Sequence, residues 1–323
     1  MTSSDMPPLL PGAIENYVAP LVPVCAPGDH AAAVRAGLRR QPFDTVADIA
    51  VLDDGHLVGL IPAERLLSAA DDDLASALMD VDPPVVAPGL DQEKAAWKAV
   101  QHGESSLAVV DGEGTFRGLV PPARLMGVLL QEHDEDVTRL AGMTISSARE
   151  ASEEPLRARL RHRAPWLLVG LAGAVVAASL VSGFEEHLSR DLRLAFFVPG
   201  VVYLADAVGT QTEALIIRGL SVGVSVRRVL RLEVLTGVGL GLLLGVLTLP
   251  VVWVAFGARE LAVVVAVALF AACTVATAIA MALPLLMARL GRDPAYGSGP
   301  LATVIQDLLS LLIYFIVAAL LLP

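Results

Sequence analysis

The chain has 323 residues, of which 55% are hydrophobic, and a mean hydropathy of +0.65. That is more apolar than a soluble protein of this length usually is. Residues 1–163 carry 25 Asp and Glu against 14 Lys and Arg, whereas residues 164–323 carry nine of each. The net charge of −11 therefore lies entirely in the first half. This split excludes a single soluble domain, and we expect one aqueous domain followed by one in lipid.

Residues 1–17 are expected to form a disordered lead. Their first twelve residues contain three prolines and lack the basic and apolar regions of a signal peptide, so the acidic domain should remain in the cytoplasm. The two cysteines, Cys25 and Cys273, are far apart in the sequence. They indicate neither a disulfide framework nor a cysteine metal site.

An internal repeat lies within residues 18–128. The stretch Val-Leu-Asp-Asp-Gly-His-Leu-Val-Gly-Leu-Ile-Pro at 51–62 reappears as Val-Val-Asp-Gly-Glu-Gly-Thr-Phe-Arg-Gly-Leu-Val-Pro at 109–121. Each copy predicts a strand, a tight turn, a second strand and a helix that begins near a proline. Two such units usually pack together into one compact α+β domain. Residues 129–163, rich in helix formers, are expected to form a connecting helix.

Five stretches in the second half are long and apolar enough to cross a bilayer, since about 20 helical residues cross the hydrocarbon core. We predict an all-α membrane domain over residues 164–323, with spans at 165–183, 194–217, 229–255, 260–288 and 300–322. Arginine is concentrated before the first span, between the second and third, and between the fourth and fifth. The positive-inside rule therefore predicts an inner (plasma) membrane protein with a cytoplasmic N-terminus and an external C-terminus.

Acidic residues inside these spans predict a polar pathway. Asp206 and Glu213 share one face of the second span, and Thr303 and Asp307 share one face of the fifth. A carboxylate at mid-bilayer is costly unless it faces water, a partner or a cation. Glu213 has an alternative, a structural pair with Arg218, whereas no basic residue lies in the span of Asp307. A cation pathway is therefore favoured for Asp307.

The residue types favour Mg²⁺, because carboxylate and hydroxyl oxygens suit it better than they suit zinc or copper. None of the six histidines lies within a span, and there is no H-E-x-x-H pair for an intramembrane metalloprotease. We therefore expect a transporter and not an enzyme. A membrane-anchored sensor without transport is the alternative from another class, although an anchor has no use for carboxylates in lipid.

The repeat resembles a tandem pair of CBS domains, whose pattern V-V-D-x-x-G-x-x-x-G precedes a helix. The acidic segment Glu132–Gly142 and the membrane half resemble MgtE-type magnesium transporters. Matches to the second span are Phe197-Val-Pro199, Gly209-Thr-Gln211 and the run Ala214-Leu-Ile-Ile-Arg-Gly-Leu. The fifth span is matched by Asp293-Pro-Ala-Tyr-Gly-Ser-Gly-Pro-Leu-Ala-Thr-Val-Ile-Gln-Asp307 and the later Tyr314-Phe. The likeness covers residues 20–323.

The resemblance implies a homodimer with a pore at its interface, where Asp307 of each subunit coordinates hydrated Mg²⁺ and Thr303 contributes a further oxygen. Glu185 matches a family position near the outer mouth. The resemblance also implies that Mg²⁺ is a regulatory ligand, which binds between acidic surfaces of the CBS pair and closes the pore. The candidate sensor residues are Asp71, Asp72, Asp73, Asp80, Asp82, Asp134, Glu135 and Asp136.

The chain departs from the family pattern in three respects. We expect it to lack the helical domain that usually precedes the CBS pair. Asp206-Ala207 replaces a Gly-Asn pair, so the cargo stays open among Mg²⁺, Co²⁺, Mn²⁺ and Ca²⁺, as does import against efflux by exchange. Arg65 and Arg124 stand where nucleotide-binding CBS units tend to carry Asp, which disfavours adenine nucleotide binding but leaves it open. No nucleic-acid partner is expected.

Overall fold

The computed structural model describes residues 12–39, 41–103, 105–143, 154–221, 226–290, 293–296 and 298–322. The chain divides into two compact units, Met1–Glu132 and His133–Pro323. The first unit contains the predicted repeat, and the second contains the apolar helices.

The first unit contains two three-stranded sheets with the same topology. Strands β1 (Val24–Cys25), β2 (Asp48–Asp53) and β3 (His56–Pro62) form one sheet, and β4 (Val85–Val86), β5 (Leu107–Val110) and β6 (Phe116–Val120) form the other. In each sheet the first strand runs parallel to the second, and the second antiparallel to the third. The helices of this part of the chain are α1 (Ala31–Gly37), α2 (Ala63–Ser68), α3 (Ala75–Leu78), α4 (Gln92–His102) and α5 (Pro122–Leu140).

The two copies agree in local irregularities as well as in topology. A β-bulge after Val51 recurs after Val109, where the edge of each hairpin changes register. Both hairpins turn at glycines with positive φ, 85° at Gly55 and 83° at Gly114, which L-residues adopt only with strain. The backbone N–H of Phe116 donates to the carbonyl of Gly55, which joins the two hairpins. The predicted α+β repeat is therefore confirmed.

Each hairpin also packs against the segment that leads into the first strand of the other copy. A Cβ on Gly59 would lie 2.5 Å from the carbonyl oxygen of Asp80, just before β4. A Cβ on Gly118 would lie 2.7 Å from the carbonyl oxygen of Ala19, before β1. Only glycine permits this approach at either position.

This arrangement corrects the predicted disordered lead of residues 1–17. Residues 14–17 form a 3₁₀ helix, Ile14 is fully buried, and its N–H donates to the carbonyl of Leu90. Ala13 is buried as well. Residues 12–17 are folded because they supply apolar surface to the second copy of the repeat. The three prolines among the first twelve residues favoured the opposite prediction. Residues 1–11 lie outside the described residues.

The predicted connecting helix over residues 129–163 is not one helix. Helix α5 ends at Leu140, and Gly142 follows with a φ of 74°, a left-handed conformation that terminates helices. The next described helix, α6 (Leu156–Ser182), includes the end of the predicted connector and the first span. Residues 144–153 lie outside the described part of the chain.

The second unit contains α6, a short α7 (Glu185–Arg190), and the long helices α8 (Arg193–Ser221), α9 (Val226–Phe256), α10 (Arg259–Arg289) and α11 (Ser298–Leu321). Five of these helices are long and apolar enough to cross a membrane, which is the predicted number. Helix α10 is the most enclosed, with 56% of its apolar window buried against 6% for α6. The core of the unit is therefore built around α10, while α6 leaves most of its surface uncovered.

Small residues let these helices approach closely. On α9, a Cβ added to Gly241 would lie 2.8 Å from the carbonyl oxygen of Phe270, and one added to Gly245 would lie 2.7 Å from that of Ala266. Both acceptors belong to α10. Such small-residue contacts are the usual way in which membrane helices associate, because lipid supplies no hydrophobic force between them.

Candidate functional site: a carboxylate pair between two membrane helices

The candidate site lies where α8 packs against α11. Gly209 of α8 faces Gln306 of α11 so closely that a Cβ on Gly209 would collide with the amide oxygen of Gln306. Gln306 is only 2% exposed. Asp307 follows Gln306, and Asp206 precedes Gly209 by about one helical turn. The close packing therefore brings one carboxylate from each helix to the same contact.

Asp206 and Asp307 lie on facing helices at this contact. Both residues are half-buried. Within the described part of the chain, Oδ1 of Asp206 and Oε1 of Gln306 are buried and accept no hydrogen bond. Oxygen atoms that lack donors and carry negative charge are the ligands that a hard divalent cation prefers.

Both carboxylates lie well inside their helices. Asp206 is about 20 Å along α8 from Arg193, and Asp307 is about 14 Å along α11 from Ser298, at 1.5 Å per residue. Neither helix end is near enough to let a short aspartate side chain reach the headgroup region. The free-energy cost of these charges must therefore be offset by interactions within the membrane.

The other predicted residues of these spans have different surroundings. Thr303 is half-buried one turn before Asp307, so its hydroxyl lies on the same face of α11. Glu213 is 3% exposed, and both Glu213 and Arg218 have interaction partners. The structural alternative for Glu213 is thus still open.

A further intramembrane carboxylate, Glu233 on α9, was missed by sequence reasoning. The hydroxyl of Thr212 on α8 donates to Oε2 of Glu233 at 3.1 Å, and Glu233 is half-buried. Its signal was available, because residue 233 falls inside the predicted third span of 229–255. The neighbouring arginines indicate a cytoplasmic connector, and Glu233 was therefore overlooked as a residue of the span. Thr212 and Glu233 form a polar contact separate from the carboxylate pair.

The start of α11 is held by contacts from the end of α5. The guanidinium of Arg139 pairs with Asp293 and with Glu135, and lies 6.0 Å from the ring centroid of Tyr296. A Cβ on Gly142 would lie 2.6 Å from the ring of Pro300. These contacts lie in the segment that leads into the helix carrying Asp307.

Comparison with known families assigns this region. The profile of the family MgtE, described as a divalent cation transporter, matches residues 198–317, which include Asp206, Glu213, Thr303 and Asp307. The CBS domain profile matches residues 75–131, the second copy of the repeat. The apolar half of the chain is therefore similar to the MgtE family. The predicted resemblance to this family and the predicted CBS fold are confirmed.

Similar MgtE proteins are known from several bacteria. The chain is 33% identical over 281 residues to the magnesium transporter MgtE of Enterococcus faecalis, which covers 85% of this chain and 61% of that protein. It is 34% identical over 292 residues to the magnesium transporter MgtE of Thermus thermophilus, covering 88% and 64%. The chain thus spans somewhat more than six tenths of the length of these relatives.

Two solved structures are similar to part of this chain. The cytosolic domain of the Mg²⁺ channel MgtE in complex with ATP is 26% identical, with a TM-score of 0.33 and coverage of 35% of this chain and 46% of that one. The soluble part of a magnesium transporter is 21% identical, with a TM-score of 0.36 and coverage of 38% and 49%.

The acidic residues proposed for the sensor in the first unit lie mainly at its surface. Asp71 is exposed and pairs with Arg35. Asp72 is exposed, and its backbone carbonyl accepts a hydrogen bond from Nδ1 of His30 at 2.9 Å. The remaining carboxylates make turn contacts: Asp73 accepts from the N–H of Ala70, and Asp80 from the N–H of Asp82.

The sensor candidates in the second unit differ from these. Asp134 is exposed, whereas Asp136 is half-buried on the same helix. Burial raises the pKa of Asp136 above its usual range, although the guanidiniums of Arg218 and Arg139 oppose this. Among the described residues, no group of three or more His, Cys, Asp or Glu side chains is placed to hold a metal ion. The sensor assignment therefore stays a prediction.

Two further sequence predictions have defined positions. Glu185 is exposed in the first turn of α7, where its neighbour Glu186 pairs with Arg190 at 2.7 Å. The Arg65 side chain donates to the backbone carbonyl of Leu78 at 3.0 Å, and the Arg124 side chain donates to that of Val18 at 2.8 Å. Both arginines thus have a structural role where nucleotide-binding units tend to carry an acidic residue.

Proposed function

We propose that the chain transports a divalent cation, Mg²⁺, across the membrane, and that Asp206 and Asp307 supply carboxylates to its path. The observation that carries this proposal is the pair of half-buried carboxylates of like charge, Asp206 and Asp307, at the α8–α11 contact. A cation that reaches this contact removes the repulsion and supplies the missing partner for Oδ1 of Asp206.

Three considerations favour Mg²⁺ as the cargo. The relatives from Enterococcus faecalis and Thermus thermophilus are named magnesium transporters. The ligands offered by Asp206, Thr303 and Asp307 are all oxygen atoms, and Mg²⁺ is usually held by one or two carboxylates and retained water. The second and fifth spans, which carry these residues, contain no sulfur or imidazole ligand that would attract zinc or copper.

The proposal includes a homodimer with a gated pore. One Asp307 is a weak site for a divalent ion, whereas two copies facing each other across a twofold axis would neutralise its charge. The cytoplasmic CBS pair would sense Mg²⁺ through its acidic residues, since a bound cation converts repulsion between carboxylates into bridging. The arginine-rich connectors support a cytoplasmic N-terminus and a C-terminus outside the plasma membrane.

Efflux or exchange is an alternative on the same fold, because the same carboxylates serve either direction of transport. Transport of Co²⁺, Mn²⁺ or Ca²⁺ is another, because the carboxylate Asp206 departs from the family pattern. A membrane-anchored CBS sensor is the alternative from another class. An anchor would not need charges in the middle of two packed helices, and Asp206 and Asp307 are such charges.

Growth of a bacterial strain that lacks its own Mg²⁺ uptake tests the proposal. The strain would carry the wild-type chain, Asp307→Asn, or Asp54→Asn on limiting Mg²⁺, with membrane expression measured for each. Asp54 is an exposed turn residue in a left-handed conformation that asparagine tolerates, so it is a matched control. We expect rescue by the wild type and Asp54→Asn, and at least tenfold lower Mg²⁺ uptake with Asp307→Asn.

Two outcomes would contradict parts of the proposal. If the wild type reaches the membrane and does not rescue growth, import is wrong, and efflux or another cation becomes the leading explanation. If Asp307→Asn rescues growth as well as the wild type does, transport survives and Asp307 loses its role.

A further inference from the structure

A cavity of about 370 Å³ lies beside the start of α6, within the second unit. Arg163, Trp166 and Leu167 of α6 line one side, and Gly142 and Pro300 line the other. Its lining combines one guanidinium, one indole and apolar carbon surface. That combination suits a ligand with an anionic end and an apolar body.

Arg163 lines this cavity, and Arg157 and Arg161 precede it on the same helix. Arg157, Arg161 and Arg163 are exposed, and none of them forms an ion pair with the described residues. This is unusual in a chain whose net charge is −11, because carboxylates are abundant elsewhere in it. The Arg163 guanidinium is therefore exposed to anions from outside the chain.

The cavity lies at the expected level of the lipid headgroups. From Ala164 to Ser182, α6 is apolar apart from small polar residues and about 28 Å long, which matches the hydrocarbon thickness of a bilayer. Arg163 is therefore at the boundary, and Trp166 lies one turn inside it, where tryptophan is enriched. Only 6% of the apolar window of α6 is buried, so lipid can reach this face.

We propose that this cavity binds the headgroup of an anionic phospholipid, with its phosphate at Arg163 and the upper part of its acyl chains against Trp166 and Leu167. Guanidinium groups bind phosphate through paired hydrogen bonds, and basic pockets beside membrane helices select anionic lipid. A zwitterionic lipid carries its own cation and gains less. A second copy related by a twofold axis would bring the same arginines to the contact, where like charges repel.

Quenching of Trp166 fluorescence by brominated lipids tests this directly. The chain has three tryptophans, so the variant Trp97→Phe/Trp253→Phe leaves Trp166 as the single emitter. The full chain would be reconstituted in mixtures of brominated phosphatidylglycerol with plain phosphatidylcholine, and in the reverse mixtures. The ratio of the two quenching curves measures the preference for the anionic headgroup next to Trp166. No transport is needed, so the result is independent of the proposed function.

We expect phosphatidylglycerol to be preferred at Trp166, and Arg163→Gln to reduce the preference about fivefold, the share of one arginine near a charged surface. Arg163→Lys, which keeps the charge and loses the paired hydrogen bonds, should reduce the preference less than Arg163→Gln does, and this difference excludes misfolding as the cause. Arg190→Gln, which removes an exposed arginine of α7, should leave it unchanged. Trp253 alone, in Trp97→Phe/Trp166→Phe, should show no headgroup preference.

Equal quenching by the two brominated lipids, or a preference that survives Arg163→Gln, would overturn the proposal. Absence of quenching by either lipid would also overturn it, because it would mean that protein, such as a second copy of the chain, covers this face.

Discussion

The two units place their carboxylates in opposite surroundings. In the first unit Asp71 and Asp72 are exposed to water, where an ionised carboxylate costs little. In the second unit Asp206 and Asp307 are half-buried between helices, where the same charge costs several kcal/mol. The comparison teaches that the sparse carboxylates of the membrane unit say more about function than the abundant ones of the acidic unit.

Asp48 is the exception in the first unit. It is fully buried at the start of β2, beside Ser106, which occupies the equivalent position before β5. Burial raises the pKa of Asp48 above its usual range, and the nearby Glu64 acts in the same direction. Because Asp48 lies where the two copies of the repeat meet and not in a membrane helix, we interpret it as a structural residue.

The largest effect is expected from Asp206→Asn, which keeps the side-chain shape and removes one of the paired charges. The half-saturating Mg²⁺ concentration for uptake into proteoliposomes should rise about tenfold, because a divalent ion loses one nearby carboxylate in a medium of low dielectric constant. Uptake would be followed with a Mg²⁺-sensitive dye, and Asp54→Asn should stay within about twofold of the wild type. An unchanged half-saturating concentration for Asp206→Asn would remove Asp206 from the path.

A smaller effect is expected where the membrane unit depends on packing alone. Gly241→Ala should lower the free energy of unfolding by about 2 kcal/mol, because its Cβ would meet the backbone of α10, which does not move as a side chain can. Gly239→Ala on the same helix meets nothing within 4 Å and should raise stability by up to about 1 kcal/mol. Unfolding in detergent by titration with dodecyl sulfate measures both. Equal effects of the two variants would show that the close approach of Gly241 to α10 does not contribute to the free energy of unfolding.

The smallest effect concerns two carboxylates of the first unit, the buried Asp48 and the half-buried Asp111. The folded-state pKa of Asp48 lies above the usual 3.8, so its stabilising contribution is complete below that pH and is lost as pH rises through the raised value. At neutral pH, Asp48→Asn should therefore increase the protection of β2 amides by about 1 kcal/mol. Hydrogen exchange of the full chain measures this protection.

Asp111 provides the control of opposite sign. Its pKa is lowered, first by the backbone N–H of Thr115 and further by Arg117 and the N–H of Glu113. Its contribution is therefore present above the usual pKa of 3.8 and is lost as pH falls through the lowered value. Asp111→Asn should reduce protection of the β5–β6 hairpin at neutral pH. Reduced protection in Asp48→Asn as well would mean that the buried charge has a stabilising partner.

Local patterns were enough to predict the repeat and the five spans. Hydropathy over about 20 residues reports directly on bilayer thickness, and the Asp/Gly turns around Gly55 and Gly114 report on hairpins. The same patterns were insufficient for residues 12–17, since Ile14 is buried by the distant second copy. They were also insufficient for the connector, where the left-handed Gly142 ends α5.

For the candidate site, the sequence by itself identified two carboxylates inside predicted spans, because the hydropathy of the surrounding residues defines the span that carries each of them. Asp307 and Asp206 were found in this way. Only the tertiary structure decided that they share one contact, since Gly209 and Gln306 meet across two helices about 100 residues apart. The same holds for Thr212 with Glu233 and for the cavity at Arg163. Pairing between helices depends on which small residues let two backbones approach, and no periodicity within one helix encodes its partner.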